Sequence, residues 1–533
     1  MTAAAAPLPT HRPALLQRLA EPGPYDVVVI GGGATGLGVA LDAATRGLKT
    51  LLLEAHDFAK GTSSRATKLV HGGVRYLAQG NVALVREALR ERAHILTAAP
   101  HLAQPLAFVM PAYQWWEKPW YGLGLKAYDL LAGRQSLGRT ELLNASATLA
   151  RLPGAQPQGL KGGVQYWDGQ FDDARLALAL ARTAARHGAL LVNYCRVIGL
   201  HHADGRVAGV QAQDVETGRT FEIEAACVIN ATGVWVDALR QQDAALAQQT
   251  ARTLVAPSQG VHVVVDGDFL PGPHALLVPS TADGRVLFAV PWLGKLILGT
   301  TDSSRQDLPL EPQAREDEVD FILREAARYL RRAPTRADVR SQWAGLRPLV
   351  KPQGEGATKT ISREHTIEIS GSRLVTVTGG KWTTYRSMAA DVLAQCADAG
   401  LLPRGSSQTV GLPLVGAPAE RGAAFVPLCD QPGLHLYGSE GRLVEELAGA
   451  QRWLAPGLSE AMVRFAARHE YACTVEDVLA RRSRLLFLDA AAAVAVAPAV
   501  AQVLESETAA PAHLQEFVTL APRYQAQKDV QTA

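Results

Sequence analysis

The sequence predicts an α/β protein in which a Rossmann-like dinucleotide-binding domain is interleaved with a mixed-sheet α+β domain and followed by a C-terminal helical domain. Three observations lead there. Asp26-Val-Val-Val-Ile30 is a continuous apolar, β-branched run, as in a strand buried on both faces, and it leads directly into Gly31-Gly-Gly-Ala-Thr-Gly36. Thr50-Leu-Leu-Leu-Glu54 reads as a second buried strand that ends in an acid. Much later, Ala226-Cys-Val-Ile-Asn230 reads as a third such strand entering Ala231-Thr-Gly233.

Taken in order, residues 1–24 are rich in Ala and Pro, lack the apolar core of a secretion signal, and read as a flexible extension. From Ala34 to Arg46 the pattern is helical and stops at Gly47, which closes a βαβ unit. Gly31, Gly33 and Gly36 fit G-x-G-x-x-G, where missing side chains allow a tight turn, close approach of a pyrophosphate and close helix–strand packing. The helix start turns unpaired N–H groups toward the diphosphate. Glu54 lies 18 residues past the last glycine, where an acid accepts hydrogen bonds from a ribose diol.

This unit alone does not separate FAD from NAD. A helix expected over Asp173–His187, a strand over Leu190–Val197 and a ribbon turning near Asp204-Gly205 and Thr217-Gly218 precede the Asn230 strand. A sheet begun by an N-terminal βαβ unit and completed this late has the layout of flavoproteins with two dinucleotide-binding domains. Residues 25–100, 160–255 and 345–400 are then the FAD-binding domain, and 101–159 and 256–344 the substrate domain. After a passage marked by Pro413, Pro418 and Pro427, residues 412–533 become helical and Ala-rich, with a structural role expected.

Length and composition set the outer bounds. A chain of 533 residues exceeds what one core usually supports. Formal net charge is +2 without long blocks of one sign, so bulk charge gives no support to a nucleic-acid partner. Five scattered cysteines, with no C-x-x-C pair and no histidine at zinc-ligand spacing, read as reduced, mostly buried thiols in a cytoplasmic protein, and no metal is expected. The least polar stretch, Ala490–Ala501, is interrupted by Pro498 and falls short of the roughly 20 residues that cross a bilayer. Membrane contact is therefore expected to be peripheral.

The segment Gly61-Thr-Ser-Ser-Arg-Ala-Thr-Lys-Leu-Val-His-Gly-Gly-Val-Arg-Tyr-Leu77 closely resembles a motif of the FAD-dependent, respiratory glycerol-3-phosphate dehydrogenases, within the D-amino-acid-oxidase-like flavoproteins. Further matches follow in order: Phe171–Leu176, Asn230–Trp235, Gly260-Val-His262, Pro291-Trp292, Gly299–Asp302, Gly345–Leu349, Arg363–Thr366 and Gly379–Arg386. The similarity is strong from Tyr25 to Arg386 and weaker through Arg468-His-Glu470 and Val475–Arg482. Two departures stand out: Arg363-Glu-His replaces the usual R-D-Y, and Trp382 replaces an aliphatic residue.

The resemblance implies FAD as cofactor, glycerol 3-phosphate as substrate and a membrane quinone as acceptor. A phosphomonoester is a compact dianion, which guanidinium groups clamp well. Arg75 and Arg347 are the first choices, assigned to catalysis as well as binding, with Tyr76, Thr301, Asp302, Arg363 and Lys381 as further substrate-binding residues. A strand-terminal turn accounts for Thr301 and Asp302 equally well. Removal of the hydroxyl proton favours a base titrating near neutrality. His262, inside the apolar run Val261–Val265, is that candidate, and a hydrogen-bonded core histidine is the alternative.

Around the flavin, the same resemblance implies Thr62, Ser63, Ser64, Lys68, His71 and Gly72 on one side. Val197, Ala231, Thr232, Gly233, Gly380, Lys381, Thr383 and Thr384 complete the set, the last four at a second glycine–helix junction. His71 reads as flavin-adjacent or structural.

Gln114-Trp-Trp-Glu-Lys-Pro-Trp-Tyr-Gly-Leu-Gly-Leu-Lys126 mixes tryptophan, leucine and lysine in the manner of a headgroup boundary, although a lid or a core-facing loop fits too. The expected location is the inner face of the cytoplasmic membrane, peripherally bound, with a homodimer left open. Arg86–Arg92 is expected on a solvated helix whose Val82, Val85, Leu89 and Leu96 face the core. Rival readings are an oxidase of the same substrate that uses O2, an amine or amino-acid oxidase of this fold, and a non-catalytic flavin-binding protein.

Overall fold

The computed structural model of the protein describes residues 10–73, 81–281, 284–351, 365–419 and 425–526. Two large sheets organise it. In the first, Tyr25–Ile30 lies between Thr50–Leu53 and Thr220–Asn230, parallel to both. Leu190–Val192 extends one edge, and Val375–Gly379 with His365–Ile369 extends the other. Val27, Val28 and Val29 have no exposed surface, as the unbroken apolar run required, and each such side chain stabilises the fold by roughly 1.5–3 kcal/mol. The Ala34–Thr45 helix packs between the Tyr385–Asp398 and Asp173–Arg186 helices.

The second sheet runs Ser303–Ser304, Val255–Asp266, Lys295–Gly299, Leu287–Trp292, Ala275–Val278, Ala103–Ala112, Gly162–Phe171 and Leu69–Val70. Ser341–Val350 pairs antiparallel with Val255–Asp266, matching Ser258 with Arg347, Gly260 with Gly345 and His262 with Trp343. Residues two apart on a strand share a face. Two domain limits expected from sequence therefore shift: the one at 345 falls inside Ser341–Val350, and Gly162–Phe171, beyond the limit at 160, pairs with Ala103–Ala112. Strand partners are set over long range, and local composition does not report them.

The expected loose N-terminus is also corrected for residues 10–24. Arg12–Leu19 is a helix with Pro13 in its first turn; Leu15 and Leu19 are buried, and Arg12 donates to the carbonyls of Asn193 (2.6 Å) and Tyr194 (2.8 Å) and pairs with Asp214. In the C-terminal domain the Ala490–Thr508 helix passes through Pro498 without a break. At 19 residues it is long and apolar enough to span a bilayer, but Ala493, Ala497, Val500 and Leu504 pack into the domain's own core. On the Val82–Ala98 helix, Glu91 and Arg92 are buried rather than solvated, because they pair with Arg386 (2.6 Å) and Asp168 (2.9 Å), while Val82 is exposed.

Candidate active site

The glycine loop is shaped by contact. A Cβ on Gly36 would stand 1.9 Å from the Gly31 carbonyl oxygen, and Gly31 itself has φ +110°, with a Cβ position 2.7 Å from the Ala231 carbonyl. Gly33 has space on the open side, where a Cβ would meet only Ser63 Oγ at 3.1 Å. Ser63 Oγ accepts from the Ala34 N–H (2.9 Å) at the helix start. Glu54 closes the second strand and accepts from the N–H groups of Gly32 (2.6 Å) and His56 (2.8 Å). Burial raises its pKa above the ordinary carboxyl range, against the lowering by those two donors.

Across the loop, Ala231, Thr232 and Gly233 end the Thr220–Asn230 strand, where the Thr232 hydroxyl donates to Asn230 Oδ1 (2.7 Å) and Gly233 takes φ +65°. Gly379 and Gly380 turn at φ +81° and +70° into the Trp382–Thr384 turn and the Tyr385–Asp398 helix. Lys381 caps that turn through its carbonyl, which accepts from the Thr384 N–H (3.1 Å) and hydroxyl (3.2 Å), and Thr383 is buried. Trp382, the departure from the usual aliphatic residue, donates Nε1–H to the Ser63 carbonyl (2.8 Å) and so ties the two glycine turns together. His365, the other departure, lies 3.1 Å from Asp391.

The second half of the site is one face of the Val255–Asp266 and Ser341–Val350 strand pair. Period two places Ser258, Gly260 and His262 opposite Arg347, Gly345 and Trp343. His262 stacks on Trp343 (centroids 5.2 Å apart), and its Nε2 lies 2.9 Å from the Thr67 hydroxyl. Gly299 leaves room for the imidazole, since a Cβ there would stand 2.6 Å from His262 Cδ2. Burial first, then the charges of Lys68 and Arg347, hold the His262 pKa well below its ordinary value, so the ring is neutral. Gly260 does the same for Arg347: a Cβ would meet its Nη2 at 2.3 Å. Arg347 donates to Asp302 (3.1 Å), to the Thr301 carbonyl (3.1 Å) and to the Thr300 hydroxyl (3.3 Å).

Comparison with known proteins bears on this arrangement. Residues 26–395 match the FAD dependent oxidoreductase family, and residues 407–512 match the C-terminal domain of alpha-glycerophosphate oxidase. Mitochondrial glycerol-3-phosphate dehydrogenases of Rattus norvegicus and Homo sapiens are each 42% identical over 94% of this chain and 72% of their own length. A relative of the same name from Arabidopsis thaliana is 40% identical over 91% of this chain and 83% of its own. The structure of a glycerol-3-phosphate dehydrogenase from Bacillus halodurans complexed with FAD superposes with a TM-score of 0.76 at 30% identity, covering 97% of this chain and 98% of the other.

The chain belongs to the FAD-dependent glycerol-3-phosphate dehydrogenase family.

As a member of this family it uses FAD, and its own residues fit that cofactor. The Gly31–Gly36 turn, the start of the Ala34–Thr45 helix and Glu54 would hold the diphosphate and ribose, and the Gly379–Thr384 turn offers a second helix start. Gly233 follows the Thr220–Asn230 strand with φ +65°, and half-buried Val197 lies on the Cys195–Ala203 strand of the ribbon.

Several expected residues act differently in this dehydrogenase. Lys68 is fully buried, donating to Asp173 (2.7 Å) and to the Ser64 carbonyl (2.9 Å), so it braces the loop that carries Ser63 and Ser64. Gly72 is required by the Tyr128 hydroxyl, 2.1 Å from a Cβ position, and its N–H meets Asp168 (3.2 Å). Half-buried His71 precedes it. The Thr301 hydroxyl accepts from the Val261 N–H (3.0 Å) and donates to Glu318 (2.9 Å), so both its hydrogen-bonding roles are taken within the protein. Asp302 accepts from Ser258 and from Arg347 (3.1 Å), which orients the guanidinium. The Thr62 hydroxyl donates to the Leu346 carbonyl (2.5 Å). Arg75, Tyr76 and Arg363 lie outside the described residues.

Thr67, Ser258 and Trp343 were not singled out from sequence. Period-two alternation from His262 and Arg347 would have found the last two.

Proposed function

We propose that this enzyme oxidises sn-glycerol 3-phosphate at C2 to dihydroxyacetone phosphate and delivers the electrons to a membrane quinone. One observation carries the reading: a neutral histidine and an arginine share a single face of a strand pair beside the dinucleotide cradle. Bound FAD supplies the two-electron acceptor. Arg347, oriented by Asp302, offers a planar cation to the phosphate dianion. His262 takes the proton from the C2 hydroxyl; its neutral state keeps a lone pair available, and Thr67 and Trp343 fix the ring. Lys381, at the second glycine turn, adds a further cation to the same region.

Quinone is lipid-soluble, so the reading includes peripheral attachment at the inner face of the cytoplasmic membrane. The Glu117–Ala132 helix and the residues before it support this part. Trp115, Trp120, Leu123 and Leu130 are 81%, 69%, 71% and 83% exposed, and Lys118 and Lys126 lie on the same helix. Exposed indoles beside lysines suit a headgroup layer.

The deciding experiment is anaerobic addition of glycerol 3-phosphate, glycerol or an amino acid while the visible flavin band is followed. Only the phosphorylated alcohol is expected to bleach it. Arg347→Ala is expected to lower kcat/KM for glycerol 3-phosphate by about 10- to 100-fold, the loss of charge-assisted hydrogen bonds worth about 1.5–3 kcal/mol. Equal reduction by glycerol would end the phosphate-clamp reading, and rapid peroxide formation in air would redirect it to an oxidase.

A further inference from the structure

The C-terminal domain reaches the active-site segment through Phe487 and Tyr524, whose rings lie against Arg65, and through the buried Arg484, which adds hydrogen bonds to it. Arg484 follows the π-helical turn Asp477–Arg482, takes φ +64°, and is entirely buried. Its Nη2 donates to the Ser64 carbonyl (2.8 Å) and to Asp173 Oδ1 (3.2 Å), its Nη1 donates to the Ala480 carbonyl (2.6 Å), and its guanidinium lies 4.3 Å from the Phe487 ring centroid. Lys68 donates to that same Ser64 carbonyl and to Asp173 Oδ2. Two basic side chains, one from each domain, thus grip one carbonyl and one carboxylate; burial, then the Arg484 charge, lowers the Lys68 pKa to about 7.

What they grip is a junction. Ser63 bonds the start of the Ala34–Thr45 helix and receives Trp382, Thr62 bonds the strand that carries Arg347, and Thr67 bonds His262. Lys68 Nζ lies 5.3 Å from the centroid of Trp343, the ring that stacks on His262. Elsewhere the C-terminal domain is fastened by pairs that do not touch this segment, such as Arg182–Glu440 at 2.6 Å and Arg175–Glu470 at 2.9 Å.

We propose that Arg484 is a positioning residue for the oxidation: together with Lys68 it fixes the Thr62–Val70 segment, and thereby sets His262 and the cofactor loop in their working geometry. The proposal rests on the functional reading above. A residue acting this way governs the chemical step more than substrate affinity, because the arginine clamp on the neighbouring strand keeps its own Asp302 and Thr301 partners.

The test compares FAD-loaded parent, Arg484→Gln, Arg484→Lys and Arg182→Gln proteins by stopped-flow reduction with glycerol 3-phosphate, visible flavin spectra and FAD dissociation. Arg484→Gln is expected to slow reduction at saturating substrate by at least about tenfold with less than about a threefold change in substrate affinity, and to shift the flavin band. Arg484→Lys, whose ammonium can still reach one of the two acceptors, is expected at about a third of the parent rate. Arg182→Gln is expected to lower thermal stability and leave rate and spectrum unchanged. A parent-like rate and spectrum in Arg484→Gln overturns the proposal, as does an equal rate loss in Arg182→Gln. Should Arg484→Gln not retain flavin, Arg484→Lys decides by the same measurements, a parent-like rate and spectrum overturning it. If glycerol 3-phosphate fails to reduce the parent, the functional reading falls, while the spectra and FAD dissociation still test the clamp.

Discussion

The proposed chemistry depends on a few side chains whose freedom has been removed. His262 is the clearest case: strand register places it, Gly299 makes room for it, Trp343 covers one ring face, and Thr67 bonds Nε2. His262→Asn is expected to lower kcat by about 10²- to 10⁴-fold, the usual contribution of a positioned base, with flavin content unchanged. Pre-steady-state reduction checks it, and a variant within threefold of the parent would return the proton to another acceptor. Because the folded imidazole stays neutral far below pH 6.5, no acidic limb from this residue should appear near that pH in kcat/KM. Sequence alone singled out His262 and Arg347 as candidates through residue type and motif. It had no means of finding that the Thr301 hydroxyl turns inward to Glu318 or that Asp302 serves Arg347, because both depend on how the loop after Gly299 folds back on its neighbours.

Among elements, the βαβ unit was the most legible, since its signal is local: an unbroken apolar strand, glycines at fixed spacing and an acid at the next strand end. Gly36→Ala is expected to abolish FAD retention, because the added methyl carbon would overlap the Gly31 carbonyl oxygen at 1.9 Å with backbone on both sides of the clash. The ratio of flavin to protein absorbance reads this directly; a variant that keeps full flavin would refute the packing argument. The Glu117–Ala132 helix was less legible, as a tryptophan-rich stretch suits a lid, a core or a headgroup layer alike. Its exposed Trp120, Leu123 and Leu130 favour the last. Replacing these three with Asp is expected to weaken co-sedimentation with anionic vesicles by tenfold or more, at about 25 cal/mol per Å² of apolar surface withdrawn from lipid, without changing soluble turnover. Unchanged co-sedimentation would remove this helix from the proposed membrane contact. The Val82–Ala98 helix misled because buried charge is invisible in a pattern: Glu91 and Arg92 read as solvated until their partners Arg386 and Asp168 arrive from distant segments.

At the scale of the whole molecule, long-range pairing decided what composition could not. The domain limits moved with the partners of Gly162–Phe171 and Ser341–Val350, and residues 10–24 are anchored because Arg12 finds acceptors some 180 to 200 residues away. Buried ion pairs join the domains, with Asp57 held between Arg481 and Arg482, and Lys60 between Glu311 and Glu476. Buried neutral histidines set the molecule's response to acid. His101 titrates near pH 3 and His56 near pH 4 when folded, against about 6.5 when unfolded, burial being the main cause in each. The unfolded chain therefore binds more protons below pH 6.5, and stability falls as pH drops from there. Fully buried His101 alone contributes a slope of about 1.4 kcal/mol per pH unit, opposed in part by the raised carboxyls of Glu54 and Asp172. Thermal unfolding at pH 7.5 and 5.5 should show a lower Tm at the acid value; an equal or higher one would mean that the raised carboxyls outweigh the buried histidines.

The split first sheet also constrains how the protein is made. Tyr25–Ile30 waits for a parallel neighbour that leaves the ribosome only when Thr220–Asn230 does, and the far edge comes later still with Val375–Gly379. A nascent chain that stalls before that point carries a glycine loop with half its walls and a bare apolar strand edge, open to other chains. Slow translation through residues 30–220 should therefore reduce the yield of soluble enzyme more than an equal slowing after residue 380.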